Sequence, residues 1–438
     1  MISLAQNLRQ SPYVSYAYSY PHKTAYRPFD VPVRLEDAWS NENKSALFLY
    51  LHVPFCEMRC GFCNLFTTAN PNENMITAYL DALKREAIEV RRALGDGVRF
   101  ARVAIGGGTP TFLEAAELES LFEIAENTFE CDVARIPASC ETSPQTADEA
   151  RLRLLRERGI DRISIGVQSF VEAEVCAAGR SQKTSIVEHS IERIRKLGFP
   201  VLNLDLMYGL PGQTVDSWRA SLQSALRFEP EELYLYPLYV RPLTGMSRHP
   251  KEWDDIRLSC YREGRALLLS SGYEQVSMRM FRSRRVAIRE DAVYCCQDDG
   301  MIGLGCGARS YTRKLHYSSE YAVGVKGIHG IIESYSKCAN FSLADYGFCL
   351  SPDEERRRFV IKSLLRADGL DLSSYLQRFG CSVLDDFPQL LELSFEGLAS
   401  VGSHTLKLTE AGLELSDAIG PWLYSTNVHD LMTSYELH

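Results

Sequence analysis

The stretch 47–66, LFLYLHVPFCEMRCGFCNLF, constrains this chain more than any other. A run of aliphatic and aromatic residues reads as a buried strand. It ends in a loop carrying Cys56, Cys60 and Cys63, with gaps of three and then two residues. Thiolate sulfur is the soft ligand that iron–sulfur clusters take, and ligands this close in sequence must wrap one small inorganic core. A 4Fe–4S cube has one iron more than three cysteines can claim, so that iron is open to a group that is not protein. Part of a zinc site, or plain buried thiols, is the alternative. Structural zinc wants a closed set of four ligands, and no second pair with such spacing follows: Cys295 and Cys296 are adjacent, and Cys131 and Cys140 lie too far apart.

At 438 residues the chain exceeds the usual single-core size, so one large domain plus a smaller one is expected. The formal net charge of -9 offers no footprint for nucleic acid. The basic run 279–289 reads as a solvated face. No segment is apolar enough for a membrane span, and the first residues lack the core of a signal peptide. Thirteen cysteines without a disulfide rhythm point to reduced thiols and a cytoplasmic location. Cys131, Cys140, Cys176, Cys260, Cys338, Cys349 and Cys381 read as small buried hydrophobes.

The fold class is α/β. From 46 to about 240, short apolar runs alternate with amphipathic helical segments, as in a parallel β/α architecture. Strands are expected at 46–53, 102–105, 136–140, 162–166, 201–207 and 233–237. Helical faces are set by Ile76, Leu80, Leu83, Ala87, Val90 and Leu94, and by Leu118, Leu121, Phe122 and Ala125. Six strands are two short of a closed barrel, and in parallel barrels the chemistry sits at the strand C-terminal ends. Before the first strand lies a tyrosine-rich run, 13–26, which reads either as a strand packing one face on the barrel or as a flap over a ligand. Residues 254–280 read as a helix, and another begins after Ser351-Pro352 with an apolar stripe at Val360, Ile361, Leu364 and Leu365. A strand pair is expected near Leu406.

The cysteine spacing, with Tyr50-Leu51-His52-Val53-Pro54-Phe55 before it, resembles the radical S-adenosylmethionine (SAM) superfamily, in its coproporphyrinogen III oxidase-like or HemN-like branch. The resemblance implies an open six-strand partial barrel with a small α+β winged-helix-like C-terminal domain. It divides the chain into an aromatic arm (1–45), the partial barrel (46–280), a connecting segment with a glycine-rich loop (281–350) and the C-terminal domain (351–438). It implies a 4Fe–4S cluster on Cys56, Cys60 and Cys63, and SAM chelated at the open iron. SAM contacts then fall to Tyr50, to Gly107, Gly108 and Thr109 of GGGTP, to Glu141, to Gln168 of SIGVQSF, to Arg180 and to Asp205. A guanidinium fork suits a carboxylate, and a carboxamide suits a ribose diol. No catalytic residue is assigned.

The implied chemistry is reductive cleavage of SAM to a 5'-deoxyadenosyl radical that abstracts hydrogen from a small molecule. That molecule is a tetrapyrrole or a natural-product-like compound, and the electron comes from a donor such as flavodoxin or ferredoxin. Three outcomes exist in the branch: porphyrinogen oxidation, methylation or cyclopropanation with a second SAM, and haem trafficking by a haem-binding chaperone. Leu65 stands where the namesake oxidases carry a further cysteine, and the segments 233–240 and 277–281 also depart from the family pattern. The loop 302–310 resembles one that borders a second SAM-sized site in some members, and is expected to leave room there. The opening YSYPHK is similar to that of a HemN-like subgroup without a settled activity.

Overall fold

The computed structural model describes residues 4, 8, 11–17, 19–248, 255–286 and 296–437. All six expected strands form: β2 (Leu47–Val53), β3 (Phe100–Gly107), β4 (Ala138–Thr142), β5 (Arg162–Gln168), β6 (Val201–Tyr208) and β7 (Glu232–Pro237), preceded by β1 (Arg27–Arg34). They lie side by side and parallel in that order. The sheet continues past them with β8 (Tyr273–Gln275), β9 (Met280–Ser283), β10 (Met301–Leu304), β11 (Arg309–Tyr311), β12 (Leu315–Ser318) and β13 (Leu343–Cys349). The complete order is β1-β13-β12-β11-β10-β2-β3-β4-β5-β6-β7-β9-β8, so the barrel stays open.

Strand alternation explains the curvature. Leu49, Leu51, Ile163, Ile165, Leu204, Leu206, Leu233 and Leu235 are fully buried in one core. The residues between them, among them Tyr50, Arg162, Asp205, Tyr234 and Tyr236, are only partly covered and point the other way, into the hollow of the barrel. Helices close the apolar side. The helix Glu73–Leu94 starts at Asn72, whose side chain accepts the Met75 N–H at 2.9 Å, and buries Ile76, Leu80, Leu83, Ala87, Val90 and Leu94 as its period demands. Each of the Ile, Leu and Val side chains among them contributes roughly 1.5–3 kcal/mol.

A second core gathers Tyr20, Ala25 and Tyr26 with Val360, Ile361, Leu364, Leu406 and Leu408. Its small antiparallel sheet joins Leu370–Asp371, Thr405–Leu408 and Ala399–Val401. Among the described residues no helix is long and apolar enough to cross a membrane.

Several expectations need correction. The helix expected over 254–280 is Arg257–Ser270 only, because Gly272 takes a left-handed φ of 86° and the chain then folds into the β8–β9 hairpin. Asp254 lies outside the described residues. The tyrosine run forms no strand over residues 11–17 and 19–22, since its rings leave in different directions, Tyr13 to Tyr208 and Tyr16 to Tyr236. Tyr18 lies outside the described residues. Arg279 is not on a solvated face but buried in an ion pair with Asp417, and 287–289 lie outside the described residues. Cys176 and Cys349 are exposed, and Cys338 and Cys381 are half-buried, the last beside the Asp386 carboxylate.

Candidate functional site

The C-terminal end of β2 turns directly into the cysteine loop. Phe55–Cys56 pairs with Thr68–Ala69, which closes the loop on itself, and Cys63 N–H bonds Cys60 O at 3.1 Å. Cys56 is buried, whereas Cys60 and Cys63 are half-buried. The loop is therefore partly enclosed by the protein. Each thiol has a hydroxyl or cationic neighbour: Thr109 Oγ1 donates to Cys56 Sγ at 3.5 Å, Thr67 Oγ1 lies 3.8 Å from Cys63 Sγ, and Arg180 NH1 lies 3.2 Å from Cys60 Sγ. Burial raises the Cys56 thiol to about 12, opposed by the Thr109 hydroxyl.

This donor set fits a 4Fe–4S cube. Among the described residues no three His, Cys, Asp or Glu side chains converge as the ligands of one ion would. A cube spreads its thiolates over separate irons, and three cysteines brought together on one closed loop suit it. Gly108 is part of the same cradle: a Cβ there would lie 2.6 Å from Phe55 O and 2.9 Å from Cys56 Sγ.

Around the thiols stand the other residues singled out in the sequence, one strand end after another. Thr109 N–H bonds Phe55 O at 2.7 Å, which ties GGGTP to the cysteine loop. Gly107 takes a φ of 120° and donates its N–H to Glu141 Oε2 at 2.9 Å. Tyr50 OH lies 3.3 Å from His52 Nδ1 and points toward Gly106. Gln168 holds a left-handed φ of 68°, uncommon for a side chain of this kind, beside Gly166, the partner of Asp205 in the register. Arg180 is buried and does not present an idle fork: Nε donates to Gln182 Oε1 at 2.7 Å and NH2 to Gly166 O at 2.9 Å.

The electrostatics mark an enclosed, solvent-reachable hollow. Glu141 is accessible, yet desolvation lifts its carboxyl to about 7, opposed by the Gly107 N–H and aided by Asp205. Burial likewise lifts Asp205 to about 6, against the Asn203 amide, which donates to Oδ1 at 2.8 Å. Desolvation lowers His52 to about 4, so its imidazole is neutral.

Sequence reasoning missed much of the inner wall. Arg162 pairs with Glu232 at 2.7 Å across the floor, Tyr234 stacks on Tyr236 with ring centroids 5.9 Å apart, and Tyr16 meets Tyr236 edge-on at 6.5 Å. The signal was present as polar–apolar alternation in Arg162-Ile163-Ser164-Ile165 and Glu232-Leu233-Tyr234-Leu235-Tyr236. The glycine-rich loop also differs from expectation. A Cβ on Gly305 would lie 2.1 Å from Tyr79 OH, and one on Gly303 2.2 Å from Arg309 O. These glycines face packed protein instead of leaving room for a second ligand.

The radical SAM superfamily profile matches residues 50–225. An oxygen-independent coproporphyrinogen III oxidase of Cereibacter sphaeroides is 30% identical over 392 residues, covering 84% of this chain and 83% of the relative. The heme chaperone HemW of Bacillus subtilis is 26% identical over 391 residues, covering 84% of this chain and 97% of the relative. Among solved structures, the coproporphyrinogen III oxidase HemN of Escherichia coli, described as a radical SAM enzyme, superposes with a TM-score of 0.81 at 25% identity, covering 93% of this chain and 96% of that one.

Proposed function

The chain belongs to the HemN-like, coproporphyrinogen III oxidase-like branch of the radical SAM superfamily, with a 4Fe–4S cluster and SAM as cofactors, and from that premise we propose that it acts on a tetrapyrrole. The observation that carries this reading is the tyrosine wall of Tyr16, Tyr234 and Tyr236 on the inner face of the sheet whose strand ends carry the three thiols. Flat aromatic faces with hydroxyl rims suit a flat macrocycle.

Cys56, Cys60 and Cys63 hold the cluster. When bound, cluster and SAM supply the one-electron cleavage that gives methionine and a 5'-deoxyadenosyl radical. Arg180, next to Cys60, would hold the SAM carboxylate. Glu141 and the backbone of Gly107, Gly108 and Thr109 would take the amino group, Gln168 and Asp205 the ribose, and Tyr50 would close the side between them. The tyrosine wall and the C-terminal segment keep water from the hollow, so that the substrate is the nearest hydrogen source. An electron donor such as flavodoxin or ferredoxin reaches the cluster from the side of half-buried Cys60 and Cys63.

Two departures from the oxidases bear on which product forms. Leu65, half exposed at 50%, replaces the oxidases' further cysteine at the edge of the cluster loop. The segment 233–240, part of the inner wall, likewise departs from the family pattern. The extent of the likeness to HemW supports a second reading, haem handling without turnover.

Anaerobic, cluster-replete protein is incubated with reductant, methyl-labelled SAM and either haem or coproporphyrinogen III. Formation of 5'-deoxyadenosine that depends on a tetrapyrrole supports the enzyme reading. Label in the product identifies methyl or methylene transfer from a second SAM, and loss of carbon dioxide identifies oxidation. Tight haem binding with no 5'-deoxyadenosine from either compound overturns the reading in favour of a chaperone.

A further inference from the structure

Two buried threonine hydroxyls beside the cysteine loop end on sulfur. Thr109 Oγ1 donates to Cys56 Sγ at 3.5 Å, and Thr67 Oγ1 lies 3.8 Å from Cys63 Sγ. Both side chains are shut off from water, Thr67 at 1% exposed and Thr109 at 7%. Neighbouring buried hydroxyls behave otherwise. Thr68 Oγ1 pairs with His329 Nε2 at 2.6 Å, and Thr111 Oγ1 with Thr142 at 2.7 Å and Thr146 at 2.6 Å. Buried hydroxyls are kept where they have a partner, and for Thr67 and Thr109 the hydrogen-bond partner among the described residues is a cysteine sulfur. Valine has the same branched shape and no polar group to satisfy, so packing alone does not call for a hydroxyl at either position.

The backbone fixes both donors against the strand that carries Cys56. Thr109 N–H bonds Phe55 O at 2.7 Å, and Thr68 N–H, next in the chain after Thr67, bonds Pro54 O at 2.7 Å. With Arg180 NH1 3.2 Å from Cys60 Sγ, each of the three sulfurs faces one side-chain donor. A thiolate has no proton to give, so toward a metal-bound sulfur the two hydroxyls can only donate. Donated hydrogen bonds favour the more negative state of a cluster, and bonds to the sulfurs are one of the settings of its reduction potential, alongside solvent exposure. Cys56 is buried and the other two are half-buried, which works against added negative charge. The hydroxyls act against that penalty.

We propose that Thr67 and Thr109 donate hydrogen bonds to the cluster thiolates of Cys63 and Cys56 and so hold the cluster's reduction potential higher than the enclosed loop alone would set it. The proposal rests on the three cysteines as cluster ligands and is independent of the tetrapyrrole reading. The step concerned is the entry of one electron, with an external one-electron donor oxidised and no substrate bond made or broken.

The test uses full-length, anaerobically reconstituted protein without SAM, poised with dithionite and mediators and read by electron paramagnetic resonance of the reduced cluster beside an iron determination. At the wild-type midpoint potential, Thr67→Val and Thr109→Val are each expected to lower the ratio of reduced to oxidised cluster by about three- to tenfold at full iron content. At about 59 mV per tenfold for one electron, the midpoint falls by roughly 30–60 mV. Thr67→Ser and Thr109→Ser, which keep the hydroxyl, are expected to stay near the wild-type ratio. In D2O, electron–nuclear double resonance of the reduced wild-type cluster is expected to show coupled exchangeable deuterons that weaken in each Val variant. Val variants with full iron and the wild-type ratio overturn the proposal, and so do Ser variants shifted as far as the Val ones, since shape and not the hydroxyl would then be at work. Should a Val variant fail to hold iron, the wild-type spectrum decides, and the absence of any coupled exchangeable deuteron overturns the proposal. A wild type that assembles no cluster overturns the ligand assignment as well, whereas an unchanged potential alone leaves that assignment standing.

Discussion

The Arg279 guanidinium grips the Asp417 carboxylate with both terminal nitrogens, NH1 reaching Oδ1 at 2.8 Å, and so ties the barrel's β9 hairpin to the C-terminal segment. The two side chains are 4% and 1% exposed. Tyr239 donates its hydroxyl to the same carboxylate, and the ring of Tyr16 lies 3.7 Å beneath the guanidinium. One ion pair thus fixes the arm, the segment after β7 and the C-terminal core around the wall of the hollow. Its charges are matched and both carboxylate oxygens accept hydrogen bonds, while Arg279 Nε is buried without a partner among the described residues.

Removing one partner strands the other in a dry environment. Asp417→Ala is therefore expected to cost about 3–5 kcal/mol, seen as a fall of several degrees in the thermal midpoint by circular dichroism. Tetrapyrrole affinity should fall with it, because Tyr16 and Tyr239 lose their shared anchor. Melting indistinguishable from wild type would show that the pair holds nothing together.

The cysteines separate folding from cofactor content. Cys60 and Cys63 are half-buried, and their loop is closed by backbone bonds that do not involve sulfur. Cys60→Ser and Cys63→Ser are expected to melt like wild type but to lose the visible absorbance of the cluster and all 5'-deoxyadenosine formation. Cys56→Ala should also destabilise the fold, because its sulfur fills space under Gly108 and Thr109. A variant lacking all three that still bound a full cluster would falsify the assignment.

Much of this was readable from the residues. Six strands, their order and the residues at their ends follow from short apolar runs with motifs at fixed intervals, since a parallel β/α unit must place each loop at the same end. What was not readable depends on long-range closure. Nothing near Arg279 in sequence announces Asp417, 138 positions away. The glycines at 303 and 305 look permissive in sequence, but whether a glycine opens space or lets packed groups approach is decided by its neighbours, here Tyr79 and Arg309. Nor could the tyrosine run be assigned, because its rings serve two different cores.

That glycine geometry sets its own test. Gly305 has a φ of 93° and would drive a Cβ into the Tyr79 hydroxyl, which itself donates to His52 O at 2.6 Å. Even Gly305→Ala is expected to destabilise by about 1–3 kcal/mol through backbone strain and that contact. Pairing it with Tyr79→Phe should recover part of the loss, measured by thermal melting of single and double variants. Full stability in Gly305→Ala would mean that the loop is looser than its packing indicates.

Arg180 carries two duties that one substitution can part. Its Nε and NH2 satisfy Gln182 and the Gly166 carbonyl, while NH1 lies against Cys60 Sγ. Arg180→Lys retains charge without the fork, so SAM affinity is expected to drop by about tenfold or more. Some stability should go with it, because Gly166 O and Gln182 lose a donor. Equilibrium dialysis with SAM, beside an iron determination, distinguishes the roles: unchanged SAM affinity together with lost iron would make Arg180 a support for the cluster loop alone.

The pH dependence of SAM binding should be set by Glu141. Desolvation lifts this carboxyl to about 7, and Asp205 to about 6, above the ordinary carboxylate range. The folded protein therefore holds protons that the unfolded chain releases between the ordinary carboxylate value and neutrality. The cost of enclosing the ionised Asp205 carboxylate is full above about pH 6 and vanishes below the unfolded value, so its effect on stability improves as pH falls from 7 toward 4, while the exposed Glu141 adds little because solvent screens it. SAM binding should run the other way. Its ammonium and sulfonium charges favour ionised carboxylates, so affinity should rise between pH 6 and 8, by up to about tenfold per unit below the Glu141 pKa. Glu141→Gln keeps the size and a hydrogen-bond acceptor for the Gly107 N–H but cannot ionise. It is expected to bind SAM weakly with a much flatter pH profile. A variant whose SAM affinity still climbed as steeply as the wild type's would move the titrating group elsewhere, with Asp205→Asn the next position to measure.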